Sequence, residues 1–326
     1  MIITRAPFRV SFFGGGSDMP YFYEKYGGCV LCTSINKYLY IAIHPFFDTT
    51  RIQLKYSKSE NVELAEEIDH KIFRKVLMKY ALKGVELTST ADIPSGTGLG
   101  SSSTFTVALL NAVYCYLGKY RSKQILASEA TEIEIKDLLS PIGKQDQYAS
   151  AFGGLNFIEF HKNGVVNVEP IVVENQKLKD LESRLMLFYL NTTRDTNSIL
   201  MKQTSKVKDN PEKEQILLEQ TQLTREVRNM LEKGNINDFG KMLDHGWKLK
   251  RSLMDGISNK SIDEIYEKGL AAGAEGGKLL GAGGGGFMLF YCLPEKQKQL
   301  IQSLQLLKHV PFNFDNTGAQ VIFYDN

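Results

Sequence analysis

Pro94-Ser-Gly-Thr-Gly-Leu-Gly-Ser-Ser-Ser103 runs without a break into residues 104–117, where Phe105, Ala108, Leu109, Ala112, Val113 and Tyr116 recur at helical spacing. Gly96, Gly98 and Gly100 allow positive φ and close approach of a ligand to the backbone. Ser101 to Ser103 place hydroxyls and cap-type residues at the helix start, where free N–H groups and the positive end of the helix dipole face one point. The stretch therefore predicts a phosphate cradle, with Pro94, Gly96, Gly98, Leu99, Gly100, Ser101, Ser102 and Ser103 as candidate nucleotide ligands. The same composition would also make a tight turn with no ligand. Other phosphate motifs are excluded: there is no G-x-x-x-x-G-K-[ST], no third glycine of a dinucleotide fingerprint, and no H-R-D or D-F-G.

Outward from this loop, 326 residues suffice for two substantial cores, and a composition 43% apolar and 23% charged is that of a globular chain. A formal charge of +2 without a basic run argues against nucleic acid as a partner. No apolar run is long enough to span a bilayer and the N-terminus lacks a leader pattern, so a cytoplasmic protein with no membrane partner is expected. The sequence carries no signal of oligomeric state. Cys29-Val-Leu-Cys32 has redox or metal spacing, but no second Cys or His pair accompanies it, and a buried structural pair in a strand is expected.

Residues 2–13, 28–44, 51–56 and 86–92 read as strands, 59–82 and 122–139 as amphipathic helices, and 185–190 as a strand. From about 174 the composition shifts to Lys/Glu-rich helices, the longest over 211–233 and 235–254, with late strands near 310–314 and 319–323. Arg9 lies between Phe8 and Val10, where a buried guanidinium requires an anionic partner. Asp18 follows the Gly14-Gly-Gly16 turn and also suits a turn cap. Pro141 and Gly143 break the chain before Asp146, which also suits a helix cap.

Three stretches together carry a resemblance. Pro-x-x-x-Gly-Leu-Gly-Ser-Ser-Ser is similar to the second signature of the GHMP kinases, the family of galactokinase, homoserine, mevalonate and phosphomevalonate kinases. Ala6-Pro-Phe-Arg-Val-Ser-Phe-Phe-Gly-Gly-Gly-Ser-Asp18 resembles the first signature, and Lys278-Leu-Leu-Gly-Ala-Gly-Gly-Gly-Gly-Phe287 resembles the third, in the family's order. The resemblance implies an α+β fold in two lobes: a ribosomal protein S5 domain 2-like N-terminal domain over 1–173 and a ferredoxin-like C-terminal domain over 174–326, with the active site between them.

It also implies ATP and Mg²⁺. By the same resemblance Asp146 accepts the proton of the attacking hydroxyl, Arg9 stabilises the transferred phosphoryl group, and Ser102 and Glu134 hold Mg²⁺, with Glu132 as the alternative carboxylate. Gly15, Gly16, Ser17, Asp18, Gly284 and Gly285 would face the substrate. Tyr56-Ser-Lys-Ser-Glu60, Gly143-Lys-Gln-Asp-Gln-Tyr148 and Thr193-Arg-Asp195 resemble the branch that phosphorylates the anomeric hydroxyl of sugars, heptose 7-phosphate among them, for nucleotide-activated heptose and bacterial surface polysaccharide. A small-molecule sugar phosphate is then the partner, with Arg194 and Lys144 as candidate ligands of its distal phosphate. A fucokinase- or galactokinase-like 1-kinase, a non-catalytic sugar sensor and a decarboxylase of the mevalonate branch remain alternatives.

Overall fold

The computed structural model describes residues 1–192 and 196–325; Arg194, with Thr193 and Asp195, lies outside them. Strands β1 (Ile2–Phe13), β2 (Gly28–Pro45), β3 (Ile52–Lys55), β4 (Ser59–Val62), β5 (Val85–Ala91), β6 (Leu155–Phe160) and β7 (Val166–Pro170) belong to one sheet. A second, antiparallel sheet holds β8 (Leu185–Tyr189), β9 (Ala274–Leu279), β10 (Phe287–Cys292) and β11 (Lys308–His309) in the order β11-β8-β10-β9. The last strand, β12 (Gln320–Tyr324), returns to the first sheet and pairs with β1.

β2 organises the first sheet. It pairs with β1 along most of its length, with β6 over Gly28 to Thr33 and with β5 over Leu39 to Pro45. The β1–β2 register breaks between Pro7 and Arg9, and such an irregularity re-aims the side chains beside it. Arg9 is the residue re-aimed: its backbone N–H leaves the ladder and donates to the Leu99 carbonyl of the glycine loop at 3.2 Å.

The apolar spacing of residues 104–117 is realised as the helix Ser101–Tyr116, which packs against β1 and β2 and buries Phe105, Ala108, Leu109, Ala112 and Val113. The second sheet packs with Trp247, Tyr266 and Phe290 in a core of its own. Between the sheets, Phe239 meets Phe12 and Phe13 edge-on, at centroid distances of 5.3 and 5.5 Å.

Two expected helices are corrected. In place of one helix over 59–82, β4 pairs with β3, a single 3₁₀ turn follows at Ala65–Glu67, and the helix is confined to Lys71–Lys79. The Glu60 carboxylate accepts from the backbone N–H groups of Asp69 and His70, which turns the chain there, and Leu64 is exposed rather than part of an apolar stripe. The helix expected over 122–139 is α-helical only over Lys123–Thr131 and widens to a π-helix over Glu132–Asp137. That widening matters for the site, because it turns Glu134 inward.

Candidate active site

Between the sheets lies a cleft of about 620 Å³ whose walls include Arg9, Asp18, the glycine loop, Asp146 and Gly281. The glycine loop forms its floor. Gly100, at φ +82°, is the N-cap of the helix Ser101–Tyr116, and no side chain caps that end, so the first N–H groups of the helix remain open to an anion. The Ser101 hydroxyl is buried there without a hydrogen-bond partner. A Cβ on Gly100 would stand 3.1 Å from Asp146 Oδ2, so the glycine also leaves room for that carboxylate.

Arg9 and Asp146 come together from β1 and the helix Gln145–Phe152. Arg9 Nε donates to Asp146 Oδ1 at 2.7 Å, Nη2 donates to Oδ2 at 2.8 Å, and Nη1 donates to the Gly98 carbonyl at 2.6 Å. The Arg9 side chain is 5% exposed and that of Asp146 21%, so the carboxylate is the partner that opens to the cleft. Asp146 does not cap its helix, as the bare sequence would also permit. The guanidinium fixes it instead.

Glu134 is fully buried. Its Oε1 accepts from the Ser102 hydroxyl at 2.5 Å and its Oε2 from Gln147 Nε2 at 2.7 Å. Burial pushes its carboxyl up to about 7, against the lowering effect of these hydrogen bonds. Glu132 points elsewhere: its side chain is 52% exposed and stands 4.0 Å from Lys136 Nζ. Ser102 and Glu134 thus present hard oxygens side by side, and the donor set suits Mg²⁺, which keeps several waters and needs few protein ligands. Among the described residues no group of three or more His, Cys, Asp or Glu could hold a metal by itself.

Asp18 is also buried, and burial raises its pKa, with a smaller contribution from Asp146 in the same direction. Its Oδ1 accepts from Gly16 N–H at 2.9 Å and its Oδ2 from Gln145 N–H at 3.3 Å. Gly143 is required for this seat, since a Cβ there would fall 1.9 Å from Asp18 Oδ2.

Not every candidate reaches the cleft. Gly15, Gly16 and Asp18 line it. Ser17 is fully buried behind the turn, its hydroxyl engaged by the Gly14 and Cys29 carbonyls at 2.8 and 2.9 Å. Lys144 Nζ donates to the Gly164 carbonyl at 3.1 Å and sits over the Tyr23 ring, away from the lining. Of the third glycine run, Gly281 and Ala282 line the cleft, whereas Gly285 packs on Thr192, and a Cβ on the neighbouring Gly286 would stand 2.2 Å from the Thr97 carbonyl. That run supports the glycine loop from the second sheet.

The lining also contains groups that sequence reasoning missed. Gln145 and Ser11 reach the cleft with polar side-chain atoms lacking partners, and Lys250 and Lys278 enter from the second sheet's side. Tyr56, His70 and Phe105 form an aromatic wall, with His70 and Phe105 centroids 4.8 Å apart. Lys278 opens the third glycine run, and a lysine in an apolar strand was the available signal. The four cysteines are free thiols, and burial pushes Cys29 and Cys32 up to about 12, in line with a structural pair.

An open helix start, a forked arginine on a carboxylate and a cleft-lining serine bonded to a buried glutamate define a phosphotransferase of the small-molecule kinase class. The GHMP kinases N terminal domain matches residues 64–154 and the GHMP kinases C terminal domain matches residues 227–306. The chain is 31% identical over 317 residues to the D-glycero-alpha-D-manno-heptose 7-phosphate kinase of Campylobacter jejuni, covering 93% of each. It is 26% identical to the bifunctional fucokinase/GDP-fucose pyrophosphorylase of Arabidopsis thaliana, over 94% of this chain and 31% of that protein. A crystal structure of a D-glycero-D-manno-heptose 1-phosphate kinase from Bacteroides thetaiotaomicron superposes with a TM-score of 0.81, at 27% identity and full coverage of both chains. This chain belongs to the GHMP kinase family: it has the two-lobed α+β fold of those enzymes and acts as a phosphotransferase on an alcohol group, with ATP as the family's donor. No helix among the described residues is long and apolar enough to cross a membrane.

Proposed function

We propose that the protein is an ATP-dependent sugar kinase that phosphorylates the anomeric hydroxyl of D-glycero-α-D-manno-heptose 7-phosphate, giving the 1,7-bisphosphate used for nucleotide-activated heptose and surface polysaccharide. The observation that carries this is the Arg9–Asp146 fork beside the glycine loop of the cleft, in a chain similar over nearly its whole length to a heptose 7-phosphate kinase. The same reading divides the chain into a nucleotide lobe over 1–173 and a second lobe over 174–326.

Phosphoryl transfer needs positioning and charge neutralisation more than covalent chemistry from the protein. Both Asp146 oxygens accept from Arg9, but a carboxylate offers about four lone-pair directions, so a sugar hydroxyl can still donate to it. The arginine holds Asp146 oriented, and the proton passes from the hydroxyl to Asp146 as the new O–P bond forms and the bond from the transferred phosphorus to the ADP oxygen breaks. Arg9 stands beside the glycine-loop carbonyl of Gly98, where its charge offsets that of the transferred group. Open N–H groups at Ser101 to Ser103 receive the donor's phosphates. Asp18, fixed on Gly16 and Gln145 N–H groups, accepts from sugar hydroxyls. Ser102 and Glu134 would hold Mg²⁺, which supplies neutralisation of phosphate charge.

The names of two similar proteins differ in which phosphate the heptose already bears. ATP consumption over a panel of sugars, sugar 1-phosphates and sugar 7-phosphates, with the product's phosphate positions assigned by ³¹P NMR, tests the reading. A new C1 phosphate on the 7-phosphate is the expected result. Turnover of neutral sugars alone would replace it with a fucokinase-like 1-kinase.

A further inference from the structure

Gly15, in the middle of the Gly14–Gly16 turn, differs from both its neighbours. Gly14 and Gly16 stand at φ +82° and +104°, where a side chain is strained, whereas Gly15 lies outside that region. A Cβ added at Gly14 would fall 2.0 Å from the Cys29 carbonyl oxygen. One added at Gly15 would find its nearest neighbours, Gln145 Nε2 and Ser11 Oγ, both at 3.8 Å, an ordinary van der Waals distance. Neither the backbone nor the packing of the chain therefore requires glycine at 15. Gly15 lines the cleft, and its missing side chain keeps open a space between Gln145 and Ser11.

Both neighbours of that space bring polar atoms without partners. Ser11 lies two residues beyond Arg9 on β1 and lines the cleft with it, as strand alternation dictates. It is 6% exposed, and its hydroxyl is buried without a hydrogen-bond partner. Gln145 opens the helix that carries Asp146. Its backbone N–H donates to Asp18 Oδ2 at 3.3 Å, and its side-chain Oε1 is buried without a partner. Buried polar atoms are nearly always paired, so two unpaired side chains bordering one space call for a polar group from outside the chain. The serine hydroxyl and the glutamine amide can each donate and accept, whichever way the amide is turned. Asp18, fixed on the Gln145 N–H, disfavours an anion beside it. A neutral hydroxyl, itself donor and acceptor, matches the set.

We propose that the space over Gly15, between Ser11 and Gln145, is the subsite that reads the sugar hydroxyl next to the anomeric one. The proposal rests on the sugar 1-kinase reading above and gives it a source of selectivity. With the anomeric hydroxyl on Asp146, the neighbouring hydroxyl falls to the side chain one residue before it. Ser11 and Gln145 determine specificity and take no part in the proton transfer. A side chain at position 15 would occupy the place of that hydroxyl.

Steady-state kinetics with heptose 7-phosphate and its 2-deoxy analogue, joined to thermal unfolding, test it. The wild type is expected to prefer the 2-hydroxylated sugar in kcat/KM by at least about tenfold, because a site built to pair with a hydroxyl rejects the analogue that lacks it. Ser11→Ala and Gln145→Leu should each cut that preference at least about threefold by lowering kcat/KM for the hydroxylated sugar, with the 2-deoxy analogue changed less than about twofold. Gly15→Ala should leave Tm unchanged or slightly raised, since neither strain nor a clash opposes it. The same variant should raise KM for heptose 7-phosphate at least about tenfold and KM for ATP less than about twofold. An unchanged preference in both Ser11→Ala and Gln145→Leu, or an equal loss with both sugars, overturns the subsite. Should those variants fail to fold, Gly15→Ala still decides: an unchanged KM for the acceptor, or a larger effect on KM for ATP, overturns it. A wild type that forms the 1,7-bisphosphate without distinguishing the two sugars overturns the subsite and leaves the function standing. A wild type that places no phosphate on C1 removes both.

Discussion

Arg9 and Asp146, 137 residues apart in the chain, share two hydrogen bonds of 2.7 and 2.8 Å, and the third nitrogen of the same guanidinium holds the Gly98 carbonyl at 2.6 Å. One side chain thereby ties β1, the phosphate loop and the carboxylate-bearing helix into a single rigid unit. A planar fork with several donors can do this, whereas a lysine's compact ammonium cannot match its geometry.

Asp146→Asn is expected to lower kcat by about 10²–10⁴ with nucleotide affinity nearly unchanged, because the proton acceptor serves the sugar and not ATP. Kinetics combined with equilibrium titration of a non-hydrolysable ATP analogue would check this. A wild-type kcat in the variant would remove Asp146 from the reaction.

For Arg9, the lysine and alanine variants should resemble each other more than either resembles the wild type. Lysine keeps the charge but cannot hold both Asp146 oxygens and the Gly98 carbonyl in one plane, so kcat should recover only in small part. Stability should fall most in Arg9→Ala, since the 5%-exposed side chain of Arg9 is one half of a largely buried pair and losing one charged partner of such a pair costs about 3–5 kcal/mol, and less in Arg9→Lys, which keeps the charge. Near-normal kcat in Arg9→Lys would show that charge alone suffices.

What could be read from the sequence follows the range of the interactions concerned. The loop, its helix and the apolar runs beside the third glycine stretch are local patterns, and they appear where periodicity and turn chemistry place them. The 59–82 segment misleads because Ser59–Val62 folds back on β3, which the distant β5 holds in the sheet, and Glu60 accepts from the Asp69 and His70 N–H groups; these contacts override a helical spacing of apolar residues. The π-helix at Glu132–Asp137 leaves no periodic signature, yet it brings Glu134 rather than Glu132 to Ser102. Ser17 and Lys144 are expected to face the substrate, but the Ser17 hydroxyl donates to the Gly14 and Cys29 carbonyls and the Lys144 ammonium donates to the Gly164 carbonyl. Lys250 lies on a helix with no motif around it, and only the packing of that helix against β1 brings it to the cleft.

Gly143→Ala is expected to damage acceptor binding selectively. Its Cβ would fall 1.9 Å from Asp18 Oδ2, 2.3 Å from its Cγ and 3.0 Å from the Asp18 backbone carbonyl, so the Asp18 side chain must shift. Loss of one charged hydrogen bond to a sugar hydroxyl would raise KM for the acceptor by about 10–150-fold, with KM for ATP little changed. Crystallographic or NMR evidence that Asp18 keeps its place in an unimpaired variant would refute the assignment.

The metal-free protein should lose stability as pH rises from about 4.5 to about 7. Glu134 in the folded chain keeps its proton up to about 7, whereas its ordinary value is 4.5, so across that window the folded state binds more protons than the unfolded one. Stability then declines with rising pH and levels off above the folded value. The shift from 4.5 to about 7 corresponds to a loss of ~3 kcal/mol at its full extent. Asp18, also raised by burial, adds to the decline in the same direction. Glu134→Gln should remove only the Glu134 share, giving a shallower slope and, at pH 8 without metal, a protein more stable than the wild type. Mg²⁺ with nucleotide should reverse the order, because the cation favours the ionised carboxylate that the variant lacks. Urea unfolding midpoints at pH 5 and pH 8, with and without Mg²⁺ and an ATP analogue, would measure both effects. Identical pH slopes for the two proteins, or equal stabilisation of both by Mg²⁺, would take Glu134 out of the metal site.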